Sequence, residues 1–590
     1  KLTRSRIIAA IAFLCLLAGS LEIYDPVLPK VAGPILRAIE EKTQLPVTDW
    51  AEAITGQPVA KPAQPRGLVD AAMEKVLENK QVEQAATALI TLKHIQFEGV
   101  TILGDMELKG IVEPFLNTPM TYEQMLEIGM VVENYYRKNN YLARAILPPQ
   151  DMTDGLLTVE VIESVFSKVE IEQELEDLPN TQGHVTALIE AQQKTGEPLN
   201  TKSLDRALAL ANDIPGMSAQ GSLRQGRDAG ETELLLKLYQ GRTRQAELNI
   251  DNAGSRSTGV IRLMATLNWF NPGDMADLLN VVAVHTRGSD YARLAYSVPV
   301  GTDGWRMGVN ASAMNYEVVI GDQGMVGAVG RAVTQGMEWL YPLLRADDRS
   351  ATVTLTADTK TFQNTSAQGL VMSDYAAKVL AAQVSGFYRD LNPGGGSGTY
   401  SIQLSHGNIN LDGSLSQQTD KNTVQTEGDF NKIRLNGTWQ QAITTKTSAF
   451  VSYTGQLSDK NLDSSEKMQL GGMNGVRAYP TGEGSGSDGQ LIQLELRHQL
   501  ENGINLATFY DWGQVWLQHD PNYPGGPQHN LNTYKGFGAS IGYTTEDGVN
   551  IKATWARKVG NNPNPNPVNG NDMDGTRDRN RYWLQVSLPF

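Results

Sequence analysis

Cysteine is nearly absent from this 590-residue chain: the one present, Cys15, sits in an apolar run near the N-terminus. With no second thiol there is neither a disulfide framework nor a thiolate metal site. Long apolar runs are missing too. The longest, Ile7 to Ala18, has 12 residues, against the roughly 20 that a helix needs to cross a bilayer, which excludes a polytopic helical membrane protein. Basic charge is in short supply: 50 Lys and Arg face 65 Asp and Glu, a net charge of -15. Nucleic-acid phosphates demand the opposite, so no nucleic-acid partner is expected. The seven histidines, at 94, 184, 285, 406, 498, 519 and 529, are scattered with no pair at ligand spacing on one element, and no metal site is expected.

Enzyme signatures are equally scarce. There is no Walker loop and no nucleophile elbow, and Gly484-Ser-Gly-Ser-Asp-Gly489 matches the dinucleotide fingerprint by letters without a βαβ unit around it. The expectation is therefore no catalytic residue, no cofactor and no enzyme. What is plentiful is glycine, with 57 residues, in a chain long enough for several folding units.

At the N-terminus, Lys1, Arg4 and Arg6 precede the apolar run and Ala18-Gly19-Ser20 closes it with small residues. That order predicts a secretory signal over 1–20. Residues 21–66 read as a short helix with Ile35, Leu36 and Ile39 on one side, followed by a linker carrying Pro58, Pro62 and Pro65. A helix from about Leu68 to Ile90 then leads into an α+β domain, the whole spanning 67–164. Within it Ile95 and Phe97 alternate with polar neighbours, and Thr121-Tyr-Glu-Gln124 is a capping box for a helix with Met125, Ile128, Val132 and Tyr135 on one face. Residues 165–241 repeat the order, with strands at Val169–Ile171 and Leu234–Leu238 and a helix marked by Leu204, Leu208 and Ala211.

From Gln245 the period changes to two. Ile261, Leu263, Ala265, Leu267 and Trp269 alternate with Arg262, Met264, Thr266 and Asn268, and Ile492, Leu494 and Leu496 alternate with Gln493, Glu495 and Arg497. Short turns such as Asn271-Pro-Gly-Asp274, Glu501-Asn-Gly503 and Glu546-Asp-Gly548 alternate with longer polar loops. Counted from these turns there are sixteen strands over 242–590. An even number, a short-turn side and a long-loop side predict a transmembrane β-barrel, in which only alternate residues meet lipid and closure pairs every backbone group. This reconciles a membrane span with a mildly negative mean hydropathy.

The longest loop, 458–490, contains Val476-Arg-Ala-Tyr479 among glycines, and the thirteenth strand carries Phe509-Tyr-Asp-Trp-Gly513. Alternation points Phe509, Asp511 and Gly513 into the lumen and Leu506, Tyr510 and Trp512 at lipid. Spacing leaves two readings open for the charges. Arg477 and Asp511 are each solvated, or a loop folded inward brings the guanidinium onto the carboxylate.

The Val-Arg-Ala-Tyr loop, the Phe-x-Asp-x-Gly strand, the segments Asn140–Gln150 and Gly155–Glu163 and the alternating last strand ending at Phe590 together resemble a two-partner secretion outer-membrane transporter of the POTRA-plus-barrel superfamily. That resemblance covers residues 91–590. It implies two POTRA domains followed by a 16-stranded barrel, with Arg477 at the tip of a lumen-inserted loop, Asp511 its partner on the wall, and Tyr479, Phe509 and Gly513 shaping the contact. It also implies that the helix with Ile35, Leu36 and Ile39 plugs the pore. Family members often carry Gly where this chain has Ala478, whose methyl disfavours a positive φ. The expected partners are a large secreted TpsA-type exoprotein in extended form, outer-membrane lipid and lipopolysaccharide, and the barrel assembly machinery during biogenesis. The expected place is the Gram-negative outer membrane with the POTRA domains in the periplasm. An outer-membrane assembly insertase shares the barrel and loop; a diffusion porin would lack the two preceding domains.

Overall fold

The computed structural model describes residues 89–590 apart from 174–177, 322–324 and 393. The expected signal segment, plug helix and Pro-rich linker lie outside the described residues.

The first domain opens with β1 (Ile90–Thr91) and β2 (His94–Glu98), then α1 (Asp105–Val112), β3 (Pro119–Met120), α2 (Tyr122–Lys138), β4 (Ala143–Ile146) and β5 (Leu156–Glu163). Of the helix expected from about Leu68 to Ile90, all but the last two residues lie outside the described residues, and Ile90 is strand instead: Ile90 and Thr91 pair with Met120 and Pro119. Helix α2 starts at a capping box: Gln124 N–H donates to the Thr121 hydroxyl, and the Gln124 side chain accepts from Thr121 N–H. Its buried face is Met125, Ile128, Val132 and Tyr136. Tyr136 takes the place expected of Tyr135, since four residues beyond Val132 returns closer to the centre of the stripe than three. These side chains pack on Leu157, Val159 and Val161, alternate residues of the central strand in a sheet of order β2-β5-β4.

Glu163, at the end of β5, ties the domain together. Its carboxylate accepts from the N–H groups of Thr101 and Ile102, each at 2.9 Å, and from the Tyr136 hydroxyl at 2.6 Å. Burial opposes its charge, but the hydrogen bonds outweigh burial and hold its pKa below the ordinary value.

The second domain comprises β6 (Val165–Gln173), α3 (Pro179–Gln192), α4 (Thr201–Asn212), β7 (Met217–Gln225) and β8 (Glu231–Gln240), with sheet order β6-β8-β7. Leu234, Leu236 and Leu238 of its central strand are buried against Val185, Ile189, Leu204 and Leu210 of the helices. The two domains join through backbone hydrogen bonds from Leu199 N–H to Ser164 and from Thr201 N–H to Asn140.

Sixteen strands then close into a barrel. They are β9 (Arg244–Asp251), β10 (Arg262–Phe270), β11 (Leu278–Thr286), β12 (Ser289–Val300), β13 (Trp305–Glu317), β14 (Val329–Arg345), β15 (Ser350–Thr365), β16 (Val371–Arg389), β17 (Gly396–Asn410), β18 (Gly428–Ala442), β19 (Thr447–Ser458), β22 (Asp488–Gln499), β23 (Ile504–Trp516), β24 (Leu531–Thr544), β25 (Asn550–Lys558) and β26 (Asn580–Pro589). A small hairpin, β20 (Met468–Gln469) with β21 (Ser485–Gly486), lies inside the long loop. Every neighbouring pair is antiparallel, and β26 closes on β9 from Gln585 opposite Asp251 to Pro589 opposite Glu247. Leu294, Leu355, Leu404, Leu494 and Ile541 are exposed on the outer face, the apolar band a barrel turns to lipid.

The second domain docks on the short-turn end of the barrel. Phe270 packs on Gly216, where a Cβ would approach to 2.6 Å. Arg345 forks onto Asp213, with Nη2 2.7 Å and Nε 2.8 Å from its carboxylate oxygens, and Arg206 donates to the Pro342 carbonyl at 2.9 Å. Ala276, from the turn between β10 and β11, enters the core of the second domain with no exposed surface.

Candidate functional site: a loop anchored inside the barrel

Strand β23 builds one side of the site. Its two-residue alternation turns Phe509 and Asp511 inward, 5% and 0% exposed, and leaves Leu506 and Tyr510 on the lipid face. The wall here is thin by composition. A Cβ on Gly513 would lie 3.1 Å from Leu470, one on Gly536 of β24 2.6 Å from Ala478, and one on Gly538 2.5 Å from the Phe509 ring. Glycines therefore make room for the loop on both strands, and on β24 for the Phe509 ring as well.

The loop between β19 and β22 fills that room. Its tip is a compact turn: Val476 N–H donates to Leu470 O at 2.7 Å, Tyr479 N–H to Val476 O at 3.0 Å and Gly472 N–H to Tyr479 O at 3.1 Å. Gly472, Gly482 and Gly484 take positive φ, whereas Ala478 does not. The alanine thus costs no backbone strain, and its methyl rests in the space left by Gly536. Leu470, Val476, Ala478 and Tyr479 pack with Leu491, Phe509, Val515 and Tyr534 in one buried cluster. Tyr479 meets Tyr534 edge to face at 4.9 Å.

Arg477 lies at the centre. Its Nε and Nη2 donate to the two oxygens of Asp511 at 2.9 and 2.6 Å, and its backbone N–H donates to Asp511 at 2.9 Å. Nη1 donates to Glu495 of β22 at 2.6 Å, and the guanidinium carbon stands 3.4 Å from the Phe509 ring centroid. The Trp583 indole of β26 donates to the Arg477 carbonyl at 2.8 Å. Such a pair, desolvated and bidentate, is geometrically demanding and expensive to break from one side only.

Spacing left Arg477 and Asp511 solvated or paired, and the family resemblance implied a contact of Arg477 and Asp511 shaped by Tyr479, Phe509 and Gly513; the structure places these five residues side by side. Sequence reading left out Glu495 and Trp583. Both were visible as inward positions: Glu495 lies between Gln493 and Arg497 on the polar face of β22, and Trp583 between the outward Tyr582 and Leu584. An indole N–H facing the lumen needs an acceptor. Glu483 was also missed. It is wholly buried, and its two oxygens accept from the Asn562 side chain at 2.9 Å and Met573 N–H at 2.8 Å in the loop after β25. The glycine-rich 484–489 stretch leads through β21 into β22, with no helix after it. Ile35, Leu36 and Ile39 lie outside the described residues.

A closed sixteen-stranded barrel, docked α+β domains on its short-turn side and a charged loop tip bound inside the wall define an outer-membrane protein of the POTRA-plus-barrel class. Residues 230–544 match the profile described as haemolysin secretion/activation protein ShlB/FhaC/HecB, and residues 90–164 match the POTRA domain, ShlB-type. The chain belongs to that family of outer-membrane secretion transporters, whose POTRA domains stand in the periplasm. The heme/hemopexin transporter protein HuxB of Haemophilus influenzae is 24% identical over 82% of this chain and 84% of its own length. The outer membrane transporter CdiB of Dickeya dadantii is 24% identical over 69% of this chain and 72% of its own. Among solved structures, CdiB from Escherichia coli superposes with a TM-score of 0.66 at 18% identity, covering 88% of this chain and 98% of that one. BamA from Haemophilus ducreyi lacking POTRA domains 1–3 reaches 0.50 at 14% identity over 85% of this chain. These two likenesses concern the fold.

Proposed function

We propose that the protein is the outer-membrane pore of a two-partner secretion pair, taking a large TpsA-type exoprotein in extended form from the periplasm and passing it through the barrel. The observation that carries this reading is the second POTRA domain fixed to the periplasmic turns of a barrel whose lumen holds the Arg477 loop. Strand β7 is an edge of its sheet, and residues 220–225 are exposed along it. An unfolded chain adding there as a further strand gains main-chain hydrogen bonds with little demand on sequence. The β4 edge of the first domain, with Ile146 exposed, offers a second such place.

No chemical step, cofactor or nucleic-acid partner enters this scheme. Directionality comes from the exoprotein folding outside the cell, which removes the extended form from the pore. Outer-membrane lipid and lipopolysaccharide surround the apolar band, and the barrel assembly machinery inserts it. An assembly insertase would share the barrel and loop, but membership of the secretion family favours export. Co-expression with the large secreted protein of the neighbouring gene tests the proposal. The expected result is exoprotein in the medium only when the transporter is present. Exoprotein held in the periplasm beside a correctly inserted transporter would overturn it, as would a general loss of other barrel proteins on depletion.

A further inference from the structure

The loop that carries Arg477 is held at a second place that the tip contact does not involve. Glu466, on the limb descending from β19, is 3% exposed and lies between two lysines of the wall. Lys360 of β15 is 2.7 Å from Oε1, and Lys432 of β18 is 2.5 Å from Oε2 and 3.2 Å from the Glu466 carbonyl. Just above, Leu462 is buried in a separate apolar cluster with Tyr375, Ile409 and Phe430 of β16, β17 and β18. The tip binds β22, β23, β24 and β26, whereas residues 462–466 of the limb bind β15 to β19. The loop thus spans the lumen between two arcs of the wall.

The two attachments differ in kind. At the tip, Asp511 is fully buried and receives three hydrogen bonds from Arg477, and Leu470, Val476, Ala478 and Tyr479, joined by Met468, pack in one apolar cluster on the wall. At the limb, the charges sit on flexible lysine stems, Lys360 and Lys432 keep 23% and 10% of their side chains exposed, and Leu462 supplies the apolar contact. Single hydrogen bonds run there from the Tyr375 hydroxyl to Asp463 at 3.0 Å and from the Gln456 side chain to the Glu466 carbonyl at 3.1 Å. Ser464 and Ser465 beside Glu466 are exposed. A Glu466 carboxylate that leaves with the limb passes into a wet lumen and regains hydration, as does the partly exposed Lys360 ammonium. A guanidinium torn from Asp511 would leave a carboxylate buried and unpaired.

We infer that the limb around Glu466 is the releasable end of a strap across the pore, while the Arg477 tip stays bound as its hinge. This rests on the pore reading above. In transport, an extended chain displaces the limb from Lys360 and Lys432 and runs along the vacated arc.

The test uses the purified full-length transporter in liposomes without exoprotein, so its outcome is separate from whether the protein secretes one. With Cys15 replaced by serine, a nitroxide is placed at Ser464 on the limb or at Asn474 by the tip, and its mobility is compared between wild type and Glu466→Gln. The expected result is loss of the immobile spectral component at 464 with the 474 spectrum unchanged. The paired change Lys360→Gln with Lys432→Gln, approached from the wall, should give the same pattern, and heat-modifiable migration establishes that each barrel is folded. Immobile spectra at both sites in both variants would overturn the inference. So would simultaneous mobilisation of 464 and 474, which would make the loop one unit, or loss of the barrel in both variants, which would make the cluster a folding element.

Discussion

Asp274 caps a helix that belongs to another domain: from the turn between β10 and β11 its carboxylate accepts from Asn180 N–H and Thr181 N–H of α3, each at 3.0 Å. The helix has no capping side chain of its own, since Leu178 occupies its N-cap. The first periplasmic turn therefore completes a POTRA helix, and the cap forms only when the second domain is docked.

Replacing Asp274 by Asn tests that coupling, because Asn tolerates the positive φ of 51° at this position while removing the charge. Burial opposes the Asp274 charge, but the two backbone donors prevail and hold its pKa below the ordinary range. Loss of the charge–dipole attraction is worth about 0.3–1 kcal/mol. Amide exchange at residues 179–185 should quicken a few-fold in the variant, with the first POTRA domain unaffected.

The Arg477 contact should resist conservative change. Lys supplies one ammonium where Asp511, Glu495 and the Phe509 face receive a planar fork, so Arg477→Lys is expected to behave like Arg477→Ala. Removing one partner of a buried pair costs about 3–5 kcal/mol, enough to free the tip. Secretion of the partner should fall at least tenfold in Arg477→Lys, Arg477→Ala and Asp511→Ala at normal transporter levels, as read by quantifying exoprotein in the medium.

Ala478 and Gly536 form a reciprocal pair. A methyl on Gly536 would meet the Ala478 Cβ at 2.6 Å, an overpacking cost of about 1–3 kcal/mol. Gly536→Ala should lower the unfolding midpoint of the purified barrel, and adding Ala478→Gly should restore most of it. A double-mutant cycle on the denaturation midpoint gives the coupling; purely additive effects would argue that the two positions do not meet.

Glu163 makes the first POTRA domain sensitive to acid. Its folded pKa is depressed relative to the ordinary 4.5, so its contribution is present above that value and lost as pH falls through the lower folded one. Exchange protection of residues 101–104 should therefore decline below about pH 4.5 in the wild type. In Glu163→Gln it should be lower at neutral pH and flatter with pH.

Much of this molecule was legible in one dimension because the β period is a local property of the chain. Alternation set Phe509, Asp511 and Gly513 on one face, and the turn residues between alternating segments located the long loop between strands near 446 and 490 and counted sixteen strands. The capping box of α2 was readable for the same reason, as its partners are three residues apart. Spacing did not decide between a solvated Arg477 and a paired one, and it gave no hint of Glu466 with Lys360, Glu483 with Asn562 or Asp274 with α3, which lie 106, 79 and 94 residues apart in the chain. Which inward residue faces which across a lumen depends on how far each strand is staggered against the next and on where the loop folds back. Those quantities exist only once the first strand has met the last, and so the sequence by itself determined the faces while closure of the barrel decided the partners.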